Sequence, residues 1–196
     1  MSSPHIYLAS ASPRRRELLH QIGVCYKVLK VAINETWNGR EEPRDYALRL
    51  ALEKTQAGWK QVNVDNSLPV LGADTIVVFD GQVLGKPTDR EHGLAMLAQL
   101  SGRSHSVFTA VALVDNRRQA TRVSISQVRF TDITPAQRAA YWETGEACGK
   151  AGGYAIQGRA AAFISHLEGS YSGVMGLPLF ETAELLGEFG IDTFSQ

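Results

Sequence analysis

Near the amino terminus, the run Ser10-Ala11-Ser12-Pro13-Arg14-Arg15-Arg16 sets two hydroxyls and three guanidinium groups beside a predicted helix start. Free backbone N–H groups at such a start favour an anion, and arginine adds bidentate hydrogen bonds, so the pattern suits a phosphate. An ordinary capped helix with solvated arginines is the plainer alternative. Asp74 lies inside Val70-Leu-Gly-Ala-Asp-Thr-Ile-Val-Val78, between two apolar halves of a strand signal. A carboxylate there is either paired in the interior or turned into a cleft, where it suits general-base work or metal ligation. Lys86 stands in the tight loop Gly85-Lys86-Pro87, and Lys54 and Glu35 are further charges without an obvious structural duty. Each of these, taken alone, is more often a solvated side chain. Gln157 closes the glycine-rich stretch Lys150–Gly158 and offers both an amide donor and an acceptor, the pair that reads the polar edge of a base. A structural glutamine in a turn is equally consistent with that local sequence.

Other chemistries lack their residues. No two glycines are separated by a single residue, so a G-x-G-x-x-G fingerprint is absent. Gly153–Gly158 has the spacing of a Walker loop, but Arg159-Ala160 replaces its Lys-Ser/Thr. The five histidines show no ligand spacing, and Cys25 and Cys148 form no C-x-x-C pair. That cysteine usage argues against a disulfide framework or thiolate zinc site and fits a reducing cytoplasm.

Elements that would position these residues can be read from pattern. The chain has 196 residues, 44% hydrophobic and 20% charged, with 20 basic against 20 acidic side chains. That length fits one domain over residues 1–196, and the balanced charge argues against a nucleic-acid polymer as partner. No signal peptide or membrane-length apolar run is visible. His5–Ser10 reads as a short strand, Ser12 as an N-cap, and Pro13 as the first residue of a helix carrying Leu18, Leu19 and Ile22. Tyr26–Val31 is a strand candidate, and Pro43 opens a longer helix. Val70–Phe79 is the strongest strand signal, and Asp80-Gly81 turns it back into Val83-Leu84. Thr88 with Glu91, and Thr134 with Gln137, read as capping boxes. Ser106–Val114, Arg122–Phe130 and Ala161–Leu167 read as strands, and Leu179–Phe189 as a last helix. Strands alternate with helices around at least one hairpin, which implies an α/β fold with a mixed sheet. Gly145–Gly158 lacks periodicity and is a candidate functional loop.

Together these residues resemble the Maf family of nucleoside triphosphate pyrophosphatases. Four blocks carry the likeness in order: Leu8-Ala-Ser-Ala-Ser-Pro-Arg-Arg15; Gly72-Ala-Asp-Thr75 with Gly85-Lys-Pro87; Lys150–Gly158; and Gly169-Ser-Tyr-Ser-Gly-Val-Met-Gly-Leu-Pro178. The resemblance implies a mixed central sheet flanked by helices, two lobes with a cleft, similar to inosine triphosphate pyrophosphatases. It implies hydrolysis of dTTP and UTP to the monophosphate and pyrophosphate, with a divalent cation such as Mg²⁺ or Mn²⁺. By position, Asp74 would be the general base, and Glu35 would help Asp74 hold the metal. Ser10, Ser12, Arg14, Lys54 and Lys86 would bind phosphate, and Arg15, Thr75 and Gln157 would mark the dTTP/UTP branch. Homodimerisation is a further family-level expectation. Asn34, where an acidic residue is common, and Gly173, where asparagine is common, depart from the pattern. A nucleotide-binding regulator of cell division without turnover is the competing reading.

Overall fold

The computed structural model describes residues 3–37, 39–62 and 68–194. In chain order the elements are β1 (Ile6–Leu8), α1 (Pro13–Gln21), β2 (Tyr26–Val28), α2 (Pro43–Trp59), β3 (Val70–Phe79) and β4 (Gln82–Leu84). There follow α3 (Arg90–Leu100), β5 (Ser104–Val114), β6 (Gln119–Phe130), α4 (Pro135–Glu143), β7 (Ile164–Glu168), α5 (Tyr171–Met175) and α6 (Leu179–Glu188). The strands form one mixed sheet in the order β2-β1-β3-β5-β6-β7, with β4 also on β3. β1 pairs in parallel with β2 and β3; the remaining pairings are antiparallel. The expected α/β class with a mixed sheet holds.

β3 organises the molecule. One of its edges pairs continuously with β5, from Val70↔Val114 to Val78↔Ser106. Its other edge is split. β1 takes Val70 and Leu71, whereas β4 takes Val77, Val78 and Phe79. Gly72–Ile76 has no strand partner on that side among the described residues, so a notch opens in the sheet at Asp74 and Thr75. The loop leaving the carboxyl end of β1 enters α1 beside this notch, the kind of position where open α/β sheets bind ligands.

Side chains alternate across the sheet, so Asp74 and Thr75 face opposite layers. On the Asp74 side, Ile76, Val78, Ala110 and Ala112 pack under Tyr46, Ala47, Leu50 and Ala51 of α2. On the Thr75 side there are two separate cores. Leu71, Ala73, Val111 and Leu113 pack with Leu18 and Leu19 of α1 and Leu185 and Leu186 of α6. Val77 and Val107 pack with Leu97 and Leu100 of α3 and Tyr141 of α4. Between those cores, along the same face, stand Thr75 and its cross-strand partner Thr109. Two lobes and a cleft thus follow from an apolar face interrupted by two hydroxyls.

Several local expectations change in detail. α3 is capped by Asp89, whose Oδ1 accepts from the His92 N–H at 2.8 Å; the Thr88–Glu91 box does not form, and Thr88 instead donates its hydroxyl to Asp89. Aspartate competes better for the N-cap because its charge also complements the helix dipole. The Thr134–Gln137 box forms as expected. Residues Arg159–Phe163 make a tight 3₁₀ turn before β7, so that strand begins at Ile164 rather than Ala161. β2 ends at Val28 rather than Val31. α5, a five-residue helix capped by Ser170, has no counterpart among the sequence-predicted elements. No helix of the described residues is long and apolar enough to cross a membrane.

Candidate active site

A cavity of about 340 Å³ fills the notch in β3. The β1–α1 loop lends it Ala9–Ser12, α1 lends Arg15, and β3 lends Asp74, Thr75 and Val77. Glu35, Lys54, Lys86, Lys150, Tyr154 and Val174–Gly176 complete most of the wall. Glu35, Lys54 and Lys86 form one charged group with Asp74, whereas the Arg15 guanidinium reaches Thr75. Val77, Val107, Tyr154, Val174 and Met175 give the Thr75 side an apolar surface. A larger, shallower groove of about 800 Å³ along β6 and β7 carries Arg129, His166 and Glu168 but no comparable buried polar cluster.

Asp74 is 7% exposed, and its Oδ1 lies 2.5 Å from the Lys54 ammonium. The same ammonium is 2.6 Å from Glu35 Oε1, and Lys86 reaches Glu35 Oε2 at 3.2 Å. Two carboxylates therefore share one largely covered cation, and Glu35 alone meets a second, exposed one. Burial pushes Glu35 upward, but the hydrogen bonds and charges of Lys54 and Lys86 outweigh it, and its pKa falls below the usual carboxylate value. Asp74 Oδ2 accepts no hydrogen bond from any described residue, which leaves one oxygen of a buried carboxylate open to the cavity. Tyr46 anchors this group by donating its hydroxyl to the Glu35 carbonyl at 2.6 Å.

Close packing brings Lys54 to Asp74. At Gly72 a Cβ would stand 2.3 Å from Thr55 Oγ1 and 2.9 Å from the Ala51 carbonyl, so only glycine lets α2 lie this near β3. A second glycine contact ties the loops together: the Gly152 N–H, at φ 67°, donates to the carbonyl of Gly85 beside Lys86.

The first loop is built to present donors. Ser10 Oγ accepts from the Ser12 N–H at 3.2 Å and from Arg15 Nη1 at 3.1 Å. Both lone pairs are thereby used, and its own proton has no acceptor among the described residues. Ser12 occupies the N-cap of α1 without capping it, so its hydroxyl is also uncommitted. Arg15 runs inward, donating through Nε to the Gly176 carbonyl at 2.8 Å and through Nη2 to Thr75 at 3.4 Å. Burial lowers its pKa, and the charges of Asp74 and Glu35 oppose that shift.

The cavity thus collects Ser10, Ser12, Arg15, Glu35, Lys54, Asp74, Thr75 and Lys86 from the sequence-predicted set. Arg14 and Gln157 are not among its lining residues. Arg14 is turned to solvent and paired with Glu17 at 2.7 Å, because one step along a helix rotates a side chain by about 100°. A signal for the inward arginine was present: Arg15, Leu18, Leu19 and Ile22 stand at i, i+3, i+4 and i+7. Gln157 lies in the turn before the 3₁₀ segment. The apolar wall from α5 and the buried Thr109 behind Thr75 were not anticipated, since a threonine or valine within a strand is unremarkable in sequence.

Residues 5–189 match the Maf-like protein family. The chain belongs to that family. Among curated Maf relatives, a dTTP/UTP pyrophosphatase of Alkalilimnicola ehrlichii is 59% identical, over 96% of this chain and 95% of its own. A dTTP/UTP pyrophosphatase of Bordetella avium is 53% identical over 96% of each. Among solved structures, the Staphylococcus aureus Ham1 protein shares 15% identity over 65% of this chain and 72% of its own, with a TM-score of 0.45.

The donor set also bears on a divalent cation. Glu35 and Asp74 stand on either side of the Lys54 ammonium, and Asp74 Oδ2, turned to the cavity, is the oxygen a cation beside Lys54 would meet. No group of three or more His, Cys, Asp or Glu side chains suited to a metal occurs among the described residues. Two carboxylates without a full protein cage fit a hard cation that takes its other ligands from phosphate and water.

Proposed function

We propose that this Maf protein hydrolyses the α–β phosphoanhydride of dTTP and UTP, releasing the monophosphate and pyrophosphate. The observation that carries the reading is a buried carboxylate, Asp74, with one oxygen open to a cavity lined by donors and cations. The names of relatives at 53–59% identity over nearly the whole chain support the same substrates. A site that only binds triphosphate gains nothing from a carboxylate beside repelling phosphates. Hydrolysis therefore fits this site better than a purely regulatory role.

In this reading the triphosphate lies across the notch. Ser10 and Ser12 donate hydroxyls to phosphate oxygens, and the N–H groups at the start of α1 add their dipole. Lys86 neutralises phosphate from the exposed side, and Lys54 holds the two carboxylates together while adding its own charge. Asp74 accepts the proton of the attacking water through its open oxygen. Glu35 and Asp74 would hold a Mg²⁺ or Mn²⁺ ion, which when bound supplies charge neutralisation and a more acidic water. The nucleoside rests on the Thr75 side, against Val77, Tyr154, Val174 and Met175. Arg15 and Thr75 shape that half of the pocket. Gln157 contributes to base choice only if its turn closes on the ligand. The setting proposed is the cytoplasm, and the working assembly a homodimer.

Asp74→Asn tests the assignment. It keeps the size and the hydrogen bond to Lys54 but removes the base. Turnover of dTTP is expected to fall by at least about 10²-fold with circular dichroism unchanged. Near-normal release of pyrophosphate by the variant would defeat it.

A further inference from the structure

Thr109 is 1% exposed and does not line the cavity, yet it is bonded to Thr75 of the wall and to Gly173, the residue before the wall residue Val174. Its Oγ1 lies 2.7 Å from the Gly173 carbonyl and 3.0 Å from Thr75 Oγ1. A hydroxyl has one proton, and a carbonyl can only accept. The Thr109 proton therefore goes to Gly173, and the Thr109 oxygen takes the proton of Thr75. Thr75 in turn accepts from Arg15 Nη2 at 3.4 Å, and a guanidinium can only donate. Donor at one end and acceptor at the other fix the direction of the whole chain, from Arg15 through Thr75 and Thr109 to Gly173.

This chain and the Arg15 Nε bond to the Gly176 carbonyl hold both ends of the segment bearing Val174 and Met175. Val174 and Met175 also pack against the cores that β5 helps to build, but the segment has no other hydrogen bond to β5 among the described residues. α5 is only five residues long, and its remaining polar ties run from Ser170 and Ser172 to the segment itself and to Ser126 of β6. Gly173 itself is packed against Ser170 and Pro178, where an added Cβ would be 3.0 Å from Ser170 Cβ.

We propose that Thr109 is a positioning residue for the nucleoside half of the pocket: it fixes the Val174–Met175 wall and the orientation of the Thr75 hydroxyl without touching substrate. This deepens the pyrophosphatase reading and rests on the nucleoside lying against that wall. Removing the hydroxyl takes away the Gly173 carbonyl's bond to β5, leaving it only the Gly176 N–H of its own segment at 2.9 Å, and frees Thr75 to rotate. The wall then loosens while Asp74, Lys54 and Lys86, on the other face, keep their arrangement.

The test compares Thr109→Val, Thr109→Ala and Thr109→Ser with the parent protein, by steady-state kinetics on dTTP and by equilibrium binding of a non-hydrolysable dTTP analogue. Valine and alanine are expected to raise KM and the analogue Kd roughly tenfold while kcat stays within about twofold. Serine is expected to restore both. Alanine serves if valine does not fold, since it adds no methyl against the carbonyl. An unchanged Kd in a folded valine or alanine variant, or failure of serine to rescue, overturns the proposal. If the parent protein binds the analogue but releases no pyrophosphate, the enzymatic reading fails, and the Kd values still decide the role of Thr109.

Discussion

With its ammonium 2.6 Å from Glu35 and 2.5 Å from Asp74, Lys54 is the cation that reaches both carboxylates. Its side chain is 12% exposed, so the attraction is little screened by solvent. Breaking such a pair leaves uncompensated charge in the interior, which is more damaging than never having built it. Lys54→Met is therefore expected to lower kcat/KM by tenfold or more. It should also shift the acid limb of the pH–rate profile to higher pH, because Lys54 is a principal cause of the lowered Glu35 pKa. Losing that cation raises the pH at which Glu35 takes up a proton. Measured profiles that superimpose would show that Lys54 does not set the charge state of the site.

At the scale of elements, the site depends on how closely α2 approaches β3. Gly72 permits the approach, and the Thr55 hydroxyl, bonded to the Ala51 carbonyl at 2.7 Å, fills the space a side chain at 72 would need. Gly72→Ala forces the helix outward or strains the strand, at a cost of about 1–3 kcal/mol typical of overpacking. Thermal denaturation should show a lower Tm, and kcat should fall as well, because Lys54 rides on the displaced helix. A stable variant of full activity would mean that the α2–β3 contact is softer than its geometry indicates. The split edge of β3 works at the same scale. β1 and β4 pair with its two ends, and the unpaired stretch between them exposes Asp74 and Thr75 to one cavity from opposite faces.

For the molecule as a whole, β3 and β5 supply side chains to all three hydrophobic clusters, so both lobes are built on the same two central strands. On that ground we propose that the chain folds as one domain, with a single unfolding transition. Acid should weaken it through His105, which is 2% exposed within the second lobe. His105 Nε2 lies 2.8 Å from the Tyr154 hydroxyl, its ring packs edge-on against Phe130, and its Nδ1 has no hydrogen-bond partner among the described residues. Burial disfavours its charged form and lowers its pKa to about 4. The unfolded chain, titrating near 6.5, then binds more protons than the folded one between about pH 6.5 and pH 4. Stability is complete above the upper value and declines through that window, by on the order of 3 kcal/mol. Urea unfolding at pH 7.5 and pH 4.5 checks this. His105→Phe should lose less stability between the two pH values than the parent protein, and an equal loss would remove His105 from the account.

Local chemistry in the chain was enough to place most elements and to single out the residues worth watching. The β-branched run of β3, the Asp80-Gly81 turn, the prolines at helix starts and the Thr134–Gln137 box act over a few residues, so short stretches specify them. Asp74 stood out because a carboxylate within an apolar strand needs a partner or a cleft, and it has both. Which partner it has, which arginine turns inward, and what stands behind Thr75 depend on contacts between residues far apart in sequence. Lys54 meets Asp74 across 20 residues, and Arg15 meets Gly176 across 161. Such contacts arise only when the sheet register and the α2 packing distance are set together. Spacing along the chain carries no measure of either.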